Sequence, residues 1–490
     1  MQVKNKHHRF TKIGLVGSGL LLGLMLSLTY SAVAEKMVRP QLPLDDLRAF
    51  AEVFGKIKSD YVETVEDKKL ISEAISGMLT GLDPHSSYMD ADAFKDMQAA
   101  TQGEFGGLGI EVGMEDGLVK VISPIEDSPA YAAGLKSGDL IVKLDDTPVK
   151  GMTLNDAVKH MRGKPDTQIV LTVVRKNETK PLLFTLTRAI IKNKSVKYKI
   201  TEPGYAYARV TQFQERTGED LAKAIKTMYT ENKGPFKGFV LDLRNDPGGL
   251  LNGAVGVAAA FLPKGELVVY TEGRAPDSKM QLTAIPENYV RGGAANDYIR
   301  DLPEDIKTVP MAVLINSGSA SASEIVAGAL QDHKRAAVLG TQSFGKGSVQ
   351  TIMPMNNGAA IKLTTARYFT PKGRSIQAKG IVPDYIVEDG TDQSGNIHEA
   401  DLTRHLSNPK DGADTKDGKV NAPAKPVAIG NGAKDAAKEK LNEKKFAEPT
   451  APIEPASKDD IQFVQAMNLL KGLPVIKSEP PAKLEAAKTN

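Results

Sequence analysis

Between residues 44 and 100, apolar side chains recur at steps of three and four residues, the spacing of a helix that buries one face. The first apolar stripe consists of Leu47, Phe50, Phe54 and Ile57. A second helix is predicted over residues 70–79, where Gly81 and Pro84 supply the stop signal. The pattern therefore predicts an N-terminal helical region at residues 35–100.

From about residue 101 the pattern changes to short runs of β-branched residues bounded by turn-forming residues, which is typical of strands. The predicted strands are residues 118–122, 139–144 and 169–174, and the predicted short helices are residues 129–133 and 154–162. We interpret residues 101–188 as one compact unit.

Residues 189–390 alternate strand and helix patterns, which predicts an α/β (α+β) core of layered sheet and helices. The predicted strands are residues 205–210, 238–243 and 311–315, and the predicted helices are residues 218–230, 250–261 and 322–330. The run at 238–243 is almost continuously apolar, which suits a strand buried on both faces.

The C-terminal part changes composition again. Residues 391–458 are interpreted as a disordered linker, because the Ala/Lys/Pro/Asp-rich stretch from residue 408 buries too little apolar surface to offset the entropy of ordering. Residues 459–490 are predicted to form a short amphipathic helix and a tail. The predicted apolar positions of this helix are Ile461, Val464, Met467, Leu470 and Leu473. It should dock either on its own core or on a second copy of the chain.

The first 34 residues resemble a secretory signal peptide. Basic residues precede an apolar stretch at 13–28, and the small residues Ala32 and Ala34 follow it. We expect cleavage after Ala34 and export to the periplasm. The alternative is an uncleaved, membrane-associated anchor, for which about 16 apolar residues are short of the roughly 20 that a spanning helix needs.

Composition limits the chemistry. The 490 residues allow about three domains, and 41% hydrophobic residues describe an ordinary globular chain. The formal charge of +3 falls close to zero once the basic leader is removed, so we expect no nucleic acid partner. The absence of cysteine excludes disulfides, thiolate zinc sites and a cysteine nucleophile.

A serine-rich segment at residues 316–325 lies between a predicted strand and a predicted helix. A hydroxyl at such a helix start lies beside unpaired backbone N–H groups, which can stabilise an oxyanion. A plain helix N-cap is the alternative. Spacing alone does not distinguish Ser321 from Ser319 or Ser323 as a nucleophile.

A nucleophilic serine needs a base. His333, the histidine of the α/β part, lies in a charged run that is typical of a solvated helix end. Lys346 lies between two glycines, and burial would make it a base by lowering its pKa. The alternative, a phosphate-binding loop, lacks the spacing of that motif, so we expect no nucleotide.

Five segments together resemble the carboxy-terminal processing (tail-specific) serine peptidases. They are Leu-Asp-Pro-His-Ser-Ser-Tyr at 82–88, Arg-Asn-Asp-Pro-Gly-Gly at 244–249, Ser-Ala-Ser-Ala-Ser-Glu-Ile at 319–325, Phe-Gly-Lys-Gly-Ser-Val-Gln at 344–350, and Tyr-Phe-Thr-Pro-Lys-Gly-Arg-Ser-Ile-Gln at 368–377. Each motif alone is weak, whereas five in order are specific. The resemblance implies that residues 189–390, completed by 35–100, form the peptidase core.

The resemblance also assigns roles. It implies Ser321 as nucleophile, Lys346 as general base and Gln350 as the residue that orients the lysine. The oxyanion-hole N–H groups would come from Gly248, Gly249 and Ala322. Asp332 is sometimes proposed as a third charge-relay member in relatives, and we interpret it instead as part of the helix end.

Residues 101–188 resemble a PDZ domain inserted into this core. The backbone of Gly106, Gly107, Leu108, Gly109 and Ile110 is then expected to capture a C-terminal carboxylate beside an edge strand. Arg162 matches a family position proposed to couple peptide binding to the active site, although an ordinary charge at a helix C-terminus explains it equally well.

The sequence thus predicts an exported serine endopeptidase with a Ser-Lys dyad, acting on cell-envelope proteins bound through their C-terminal tails. We expect no metal and no cofactor, self-association through the helical terminal regions, and an adaptor protein as an optional partner. A catalytically silent PDZ scaffold and a Ser-His acyl hydrolase are the alternatives.

Overall fold

The structure is a computed structural model that describes residues 43–125, 128–176, 178–192, 194–389, 397–409 and 453–476. The predicted signal peptide, the middle of the predicted linker and the end of the tail lie outside these residues. The chain divides into two compact units, residues 1–74 and 75–490. Across the described ranges, no helix is both long and apolar enough to cross a membrane.

The α-helices follow the predicted pattern closely. In chain order they are α1 Leu44–Asp60, α2 Asp67–Thr80, α3 Ala91–Gln102, α4 Pro129–Ala132, α5 Leu154–Met161, α6 Thr217–Glu231, α7 Leu251–Ala259, α8 Pro286–Tyr289, α9 Ala322–Asp332 and α10 Ile461–Leu470. Short 3₁₀ helices are Pro276–Ser278, Ala294–Asn296, Glu304–Lys307 and Glu399–Asp401.

The strands form four sheets. The first eight are β1 Ser87–Met89, β2 Glu104–Gly107, β3 Ile110–Glu115, β4 Leu118–Pro124, β5 Leu140–Leu144, β6 Thr147–Pro148, β7 Gln168–Val174 and β8 Leu182–Thr187. Those of the core are β9 Ala189–Lys192, β10 Val196–Glu202, β11 Tyr205–Val210, β12 Gly238–Asp242, β13 Leu267–Gly273, β14 Met280–Thr283, β15 Met311–Ile315, β16 Ala337–Gly340, β17 Ser348–Pro354, β18 Ala360–Phe369 and β19 Tyr385–Ile386.

A six-stranded sheet in the order β10-β11-β12-β15-β16-β19 forms the centre of the core. From β11 onward its strands are parallel, and β10 pairs antiparallel to β11. Because side chains alternate along a strand, Phe239 and Leu241 pack into the main core with α6, α7 and α9, whereas Val240 points to the opposite face. Both faces are buried, as the apolar run predicted.

Helix α10 covers that second face. Phe463, Ala466 and Met467 pack against Tyr207 and Val240, with the rings of Tyr207 and Phe463 edge to face at 5.7 Å. The helix therefore docks on its own core, which is the first of the two alternatives, and not on a second copy of the chain.

The predicted apolar stripe of α10 is also corrected. Ile461 and Leu473 are 46% and 51% exposed, because the buried face includes two glutamines. Of these, Gln462 donates to the carbonyl oxygen of Val387 at 2.8 Å and so satisfies a polar position inside the interface.

A five-stranded antiparallel sheet, which the sequence analysis did not identify, lies beside the central one. Strand β18 pairs with β1, β13 and β17, and β13 pairs with β14. The β17–β18 pairing matters for function, because the register shift between Val349 and Gln350 sets the direction of the Gln350 side chain.

The inserted unit has its own core. Its sheet runs in the order β3-β4-β5-β7-β8, so β3 lies at an edge, as predicted. Thr153 and Asp156 form a capping box at the start of α5, which fixes where that helix begins. Val121, Ile141 and Leu171 are fully buried in the core of this unit.

Helix α1 presents an apolar face that is exposed in the described part of the chain. No residue of α1 is buried, and Leu47 and Phe50 are 45% and 52% exposed. Self-association through this face stays a prediction.

The prediction of disorder over the linker at 391–458 is wrong in two pieces, residues 397–409 and 453–458. Residues 397–409 contain a 3₁₀ helix whose Glu399 is buried, and Ala456 is buried under the central sheet. Side-chain hydrogen bonds order these short pieces despite their polar composition. The part between them lies outside the described residues.

We expect Met467→Ala to lower the free energy of unfolding by about 2 to 5 kcal/mol, because it opens a cavity under the sheet. Ile461→Ala, on the exposed side of the same helix, should change it by only about 0.5 kcal/mol. Urea unfolding of both variants tests this. Equal losses would show that α10 does not cover the sheet.

Candidate active site

Ser321 lies where β15 turns into α9. Its backbone φ of 56° is in the left-handed region that residues with a side chain seldom adopt, so the turn is held under strain. The hydroxyls of Ser319 and Ser323 donate to the carbonyl oxygens of Leu243 and Asp246 at 2.8 and 2.9 Å.

These two flanking serines are fully buried, whereas Ser321 keeps partial exposure. The alternation of small residues thus serves two purposes. Ser319 and Ser323 hold the turn against the segment that follows β12, and Ser321 between them keeps partial exposure. Its assignment as nucleophile stays a prediction that this geometry favours.

Lys346 lies in the loop before β17. Its Nζ donates to Gln350 Oε1 at 2.6 Å. The Gln350 amide in turn donates through Nε2 to Ser348 Oγ at 3.0 Å and to Thr364 Oγ1 at 3.1 Å. With both amide hydrogens engaged, the side chain presents its oxygen to the lysine.

Burial lowers the pKa of Lys346 to about 8, and the nearby Lys362 acts in the same direction. The carboxylates of Glu399, Glu324 and Asp83 oppose this by raising the pKa. A lysine with a pKa near 8 has a substantial neutral fraction at physiological pH, which a general base requires.

Glu324 connects Ser321 to the loop that carries Lys346. Its Oε2 accepts from the backbone N–H of Ser321 at 2.7 Å and of Lys346 at 3.0 Å. Its Oε1 accepts from Ser343 Oγ at 2.6 Å and from the N–H of Gly345 at 2.7 Å. Burial raises the pKa of Glu324 to about 7, although these four hydrogen bonds favour the ionised form.

Tyr368 makes a second connection from β18. Its buried Oη lies 3.1 Å from the carbonyl oxygen of Ser321 and also in hydrogen-bond contact with the carbonyl oxygen of Lys346. Burial raises the pKa of Tyr368, so the hydroxyl remains a donor. In the sequence this tyrosine stands out only as part of the motif at 368–377.

The two predicted oxyanion glycines both have positive φ, 95° at Gly248 and 148° at Gly249. A Cβ on Gly248 would lie 2.7 Å from the carbonyl oxygen of Ala320, and one on Gly249 would lie 2.1 Å from that of Phe213. Only glycine fits at either position.

Their backbone N–H groups differ. The Gly248 N–H donates to Asp246 Oδ1 at 2.8 Å in this structure. Gly249 is exposed, and Ala322 follows Ser321 at the first position of α9, where no helical acceptor is available to its N–H. The oxyanion role of all three stays a prediction.

A buried ion pair holds the element that precedes these glycines. Arg244 binds Asp242 and Asp460 through pairs of hydrogen bonds of 2.7 to 2.9 Å, and it also donates to Gln462 at 3.0 Å. Asp460 caps α10 by accepting from Phe463 N. Sequence reasoning missed this partner because it lies 216 residues away.

The motif at 82–88 supports Gln350 indirectly. Asp83 is buried and accepts from Thr364 Oγ1 at 3.0 Å and from Ser86 Oγ at 2.7 Å. Burial alone would raise the pKa of Asp83, but its hydrogen bonds hold it below the ordinary value. Thr364 is thereby fixed as an acceptor for the Gln350 amide.

Asp332 and His333 lie at the end of α9 and have structural partners. Asp332 accepts from the Lys372 N–H at 2.9 Å and pairs with Arg374. His333 Nε2 lies 2.7 Å from the carbonyl oxygen of Leu267. This agrees with the interpretation of Asp332 as helix-end chemistry.

In the PDZ-like unit, Gly106 and Gly107 lie in β2, which pairs with β9. Leu108 is buried, and Gly109 has a φ of 74° just before β3. The segment thus leads directly into the edge strand, although its carboxylate-binding role stays a prediction.

Arg162 ends α5, and its Nη1 lies 3.5 Å from Asp96 Oδ1 on α3. The predicted role of Arg162 in coupling peptide binding to the active site stays a prediction. In the described part of the chain no group of His, Asp and Glu side chains is arranged to hold a metal ion.

Comparisons with known proteins agree with this architecture. Residues 204–387 match peptidase family S41, residues 106–185 match the PDZ domain, and residues 27–93 match the N-terminal domain of the activating protease CtpB.

Two curated relatives are similar over most of their length. The chain is 49% identical to a carboxy-terminal-processing protease of Bartonella bacilliformis over 75% of this chain and 81% of the relative. It is 36% identical to the carboxy-terminal processing protease CtpB of Bacillus subtilis, over 69% and 67%. Among solved structures, the photosystem II D1 C-terminal processing protease is 28% identical with a TM-score of 0.39, covering 67% of this chain and 84% of that one.

Tyr368→Phe should lower kcat about tenfold, because the carbonyl oxygens of Ser321 and Lys346 lose their shared donor and the two residues can separate. The matched control is Tyr289→Phe, which removes a hydroxyl bonded to Asp297 at 2.8 Å elsewhere in the core. Turnover of a fluorogenic peptide by both variants measures the difference. Similar kcat values in the two variants would contradict the role given to Tyr368.

Proposed function

The chain belongs to peptidase family S41, as a serine-type carboxy-terminal processing peptidase with a PDZ domain, and we propose that it cleaves peptide bonds with a Ser321–Lys346 dyad. The observation that carries this proposal is the hydrogen bond from Lys346 Nζ to the neutral amide oxygen of Gln350, 2.6 Å away. The loop that carries Lys346 is also connected to Ser321, because Glu324 accepts hydrogen bonds from the backbone N–H groups of both residues.

In the proposed reaction, Ser321 Oγ attacks the carbonyl carbon of the scissile bond and its proton passes to the neutral Nζ of Lys346. The N–H groups of Gly249 and Ala322 stabilise the resulting oxyanion. Lys346 then gives the proton to the leaving amine, whose bond to the carbonyl carbon breaks. Water, deprotonated by the same Nζ, hydrolyses the ester and restores the serine.

Gln350 suits this role because it is uncharged. A carboxylate in its place would stabilise the ammonium form and raise the pKa of Lys346. Its oxygen instead orients Nζ without adding charge, and the pKa of about 8 leaves the lysine available as a base.

We further propose that the PDZ domain binds the C-terminal tails of protein substrates. Support comes from the exposed edge of β3, to which an extended tail can add as a strand, and from the segment Gly106–Ile110 that precedes it. Arg162, at the end of α5, is proposed to transmit occupancy of this groove to the active site.

Export to the periplasm and action on cell-envelope proteins are proposed from the N-terminal leader, with cleavage after Ala34. Self-association is proposed through α1, whose apolar face has no buried residue in this chain. Two copies would bury both faces symmetrically.

Ser321→Ala and Lys346→Ala should each reduce peptide cleavage by several orders of magnitude without unfolding the protein. Because a nucleophile and its base act as a unit, the double variant should be little slower than either single variant. A fluorophosphonate probe should label the wild type and spare Ser321→Ala. Near-normal turnover by Lys346→Ala would end the dyad assignment, and a wild type that shows neither labelling nor turnover would favour a silent scaffold.

The proposed base predicts a pH profile. Since only neutral Lys346 accepts the proton, kcat/KM should rise with pH through about 8, well below the ordinary lysine value near 10.4. Gln350→Glu should move this rise to higher pH, whereas His333→Ala should leave it unchanged. A rise centred near pH 6.5 that disappears in His333→Ala would show that a histidine is the base.

A further inference from the structure

Glu399 comes from a part of the chain outside the family match, which ends at residue 387. It begins the 3₁₀ helix Glu399–Asp401, and its side chain is completely buried although the sequence indicated a linker there. A carboxylate placed in a protein interior needs several partners to offset its lost hydration. The hydrogen-bond partners of Glu399 connect it to the loop that carries Lys346.

The backbone of Glu399 holds the loop directly. Its N–H donates to the carbonyl oxygen of Phe344 at 3.0 Å, two residues before Lys346. The preceding residue, His398, places Nδ1 3.3 Å from the carbonyl oxygen of Ser343. The segment at 398–399 therefore supports one side of the loop that carries the lysine.

The Glu399 side chain holds the loop through a second residue. Its Oε1 accepts from Gln377 Nε2 at 2.9 Å, and Gln377 Oε1 accepts from the backbone N–H of Gly347 at 3.0 Å. This amide bridges the carboxylate to the residue immediately after Lys346. Gly345 is the residue before Lys346, and its carbonyl oxygen accepts from the Ala378 N–H at 2.8 Å.

The other carboxylate oxygen of Glu399 faces His85. The distance from Oε2 to His85 Nε2 is 2.8 Å, and the histidine side chain is 17% exposed. Burial raises the pKa of Glu399, but the hydrogen bonds from His85 and Gln377 lower it below the ordinary value, so the group is a carboxylate at neutral pH. Its negative charge acts on Lys346 and favours the protonated lysine.

We propose that Glu399 is a positioning residue for the general base: with Gln377 and His85 it fixes the loop on both sides of Lys346, and its charge acts on that lysine. This inference rests on the proposed role of Lys346. It gives a function to two features that the proposed mechanism leaves unused, the histidine of the motif at 82–88 and the ordered segment at 397–409.

The negative charge of Glu399 raises the pKa of Lys346. Four charged groups act on Lys346 besides its burial: Lys362 lowers its pKa, whereas Glu399, Glu324 and Asp83 raise it. Removing the charge of Glu399 and retaining the other three must therefore lower the pKa of Lys346. Looser packing alone would move the pKa the other way, because exposing Lys346 to water raises it.

The test compares three variants of the full chain with the wild type. Glu399→Gln removes the charge but keeps the shape, and Glu399→Asp keeps the charge but shortens the reach. Glu304→Gln is the matched control, because Glu304 also begins a 3₁₀ helix but is exposed. The measurements are kcat and KM for a fluorogenic peptide across pH, with active sites titrated by a fluorophosphonate.

We expect Glu399→Gln to lower kcat per titrated site about tenfold or more, with KM nearly unchanged and the rise of kcat/KM moved to lower pH. Glu399→Asp should lower kcat and keep the wild-type position of that rise. Glu304→Gln should match the wild type. If Glu399→Gln does not fold, Glu399→Asp still decides, since wild-type kcat in that variant overturns the proposal.

Two other outcomes overturn it as well. One is an unmoved rise in Glu399→Gln. The other is a loss of activity explained entirely by fewer titrated sites, which would make Glu399 a residue of the fold only. Full activity in Lys346→Ala is a separate outcome that refutes the proposed function itself.

Discussion

One buried carboxylate joins the two halves of the proposed active site. Glu324 belongs to the helix that Ser321 begins, yet three of its four hydrogen bonds come from the loop that carries Lys346. A desolvated charge is costly unless its lone pairs are filled, and here all four donors come from the two segments that must stay in register. The cost of burying Glu324 therefore makes the separation of these segments unfavourable.

Other residues, farther from the proposed reacting groups, also hold the site in place. Tyr368 connects Ser321 and Lys346 from the second sheet, Asp83 fixes the support of Gln350, and Glu399 supports the far side of the lysine loop. Each supporting residue comes from a different element, so the geometry depends on the whole core being assembled. This explains why the peptidase motifs occur over some 300 residues although the reacting groups are few.

The sequence predicted most of the fold because local patterns encode it, whereas the residues proposed to react were chosen by resemblance. The strand at 238–243 was recognised by its apolar run, and the helices at 218–230 and 322–330 by their periodicity, each within about two residues. Ser321 could be chosen over Ser319 and Ser323 only by resemblance. The physical reason for that choice, two flanking hydroxyls bonded to distant carbonyl oxygens, depends on tertiary contacts.

The errors have a common origin. The ordered parts of the predicted linker and the docking of α10 depend on polar side chains, Glu399, Asp460 and Gln462, that are buried by partners far away in sequence. Composition treats such residues as solvated, and apolar periodicity ignores them. The antiparallel sheet was missed for a related reason, since its strands are only half buried and show no clear alternation.

The long separation between Arg244 and Asp460 has a consequence for the order of events in synthesis. A ribosome makes the chain from its N-terminus, so the arginine before the proposed oxyanion glycines waits for 216 further residues before its second carboxylate partner exists. Until then, the face of the sheet that α10 covers also stays open to water. Contacts this distant in sequence close late in folding. The segment before the proposed oxyanion glycines therefore gains its second anchor only when nearly the whole chain has been made.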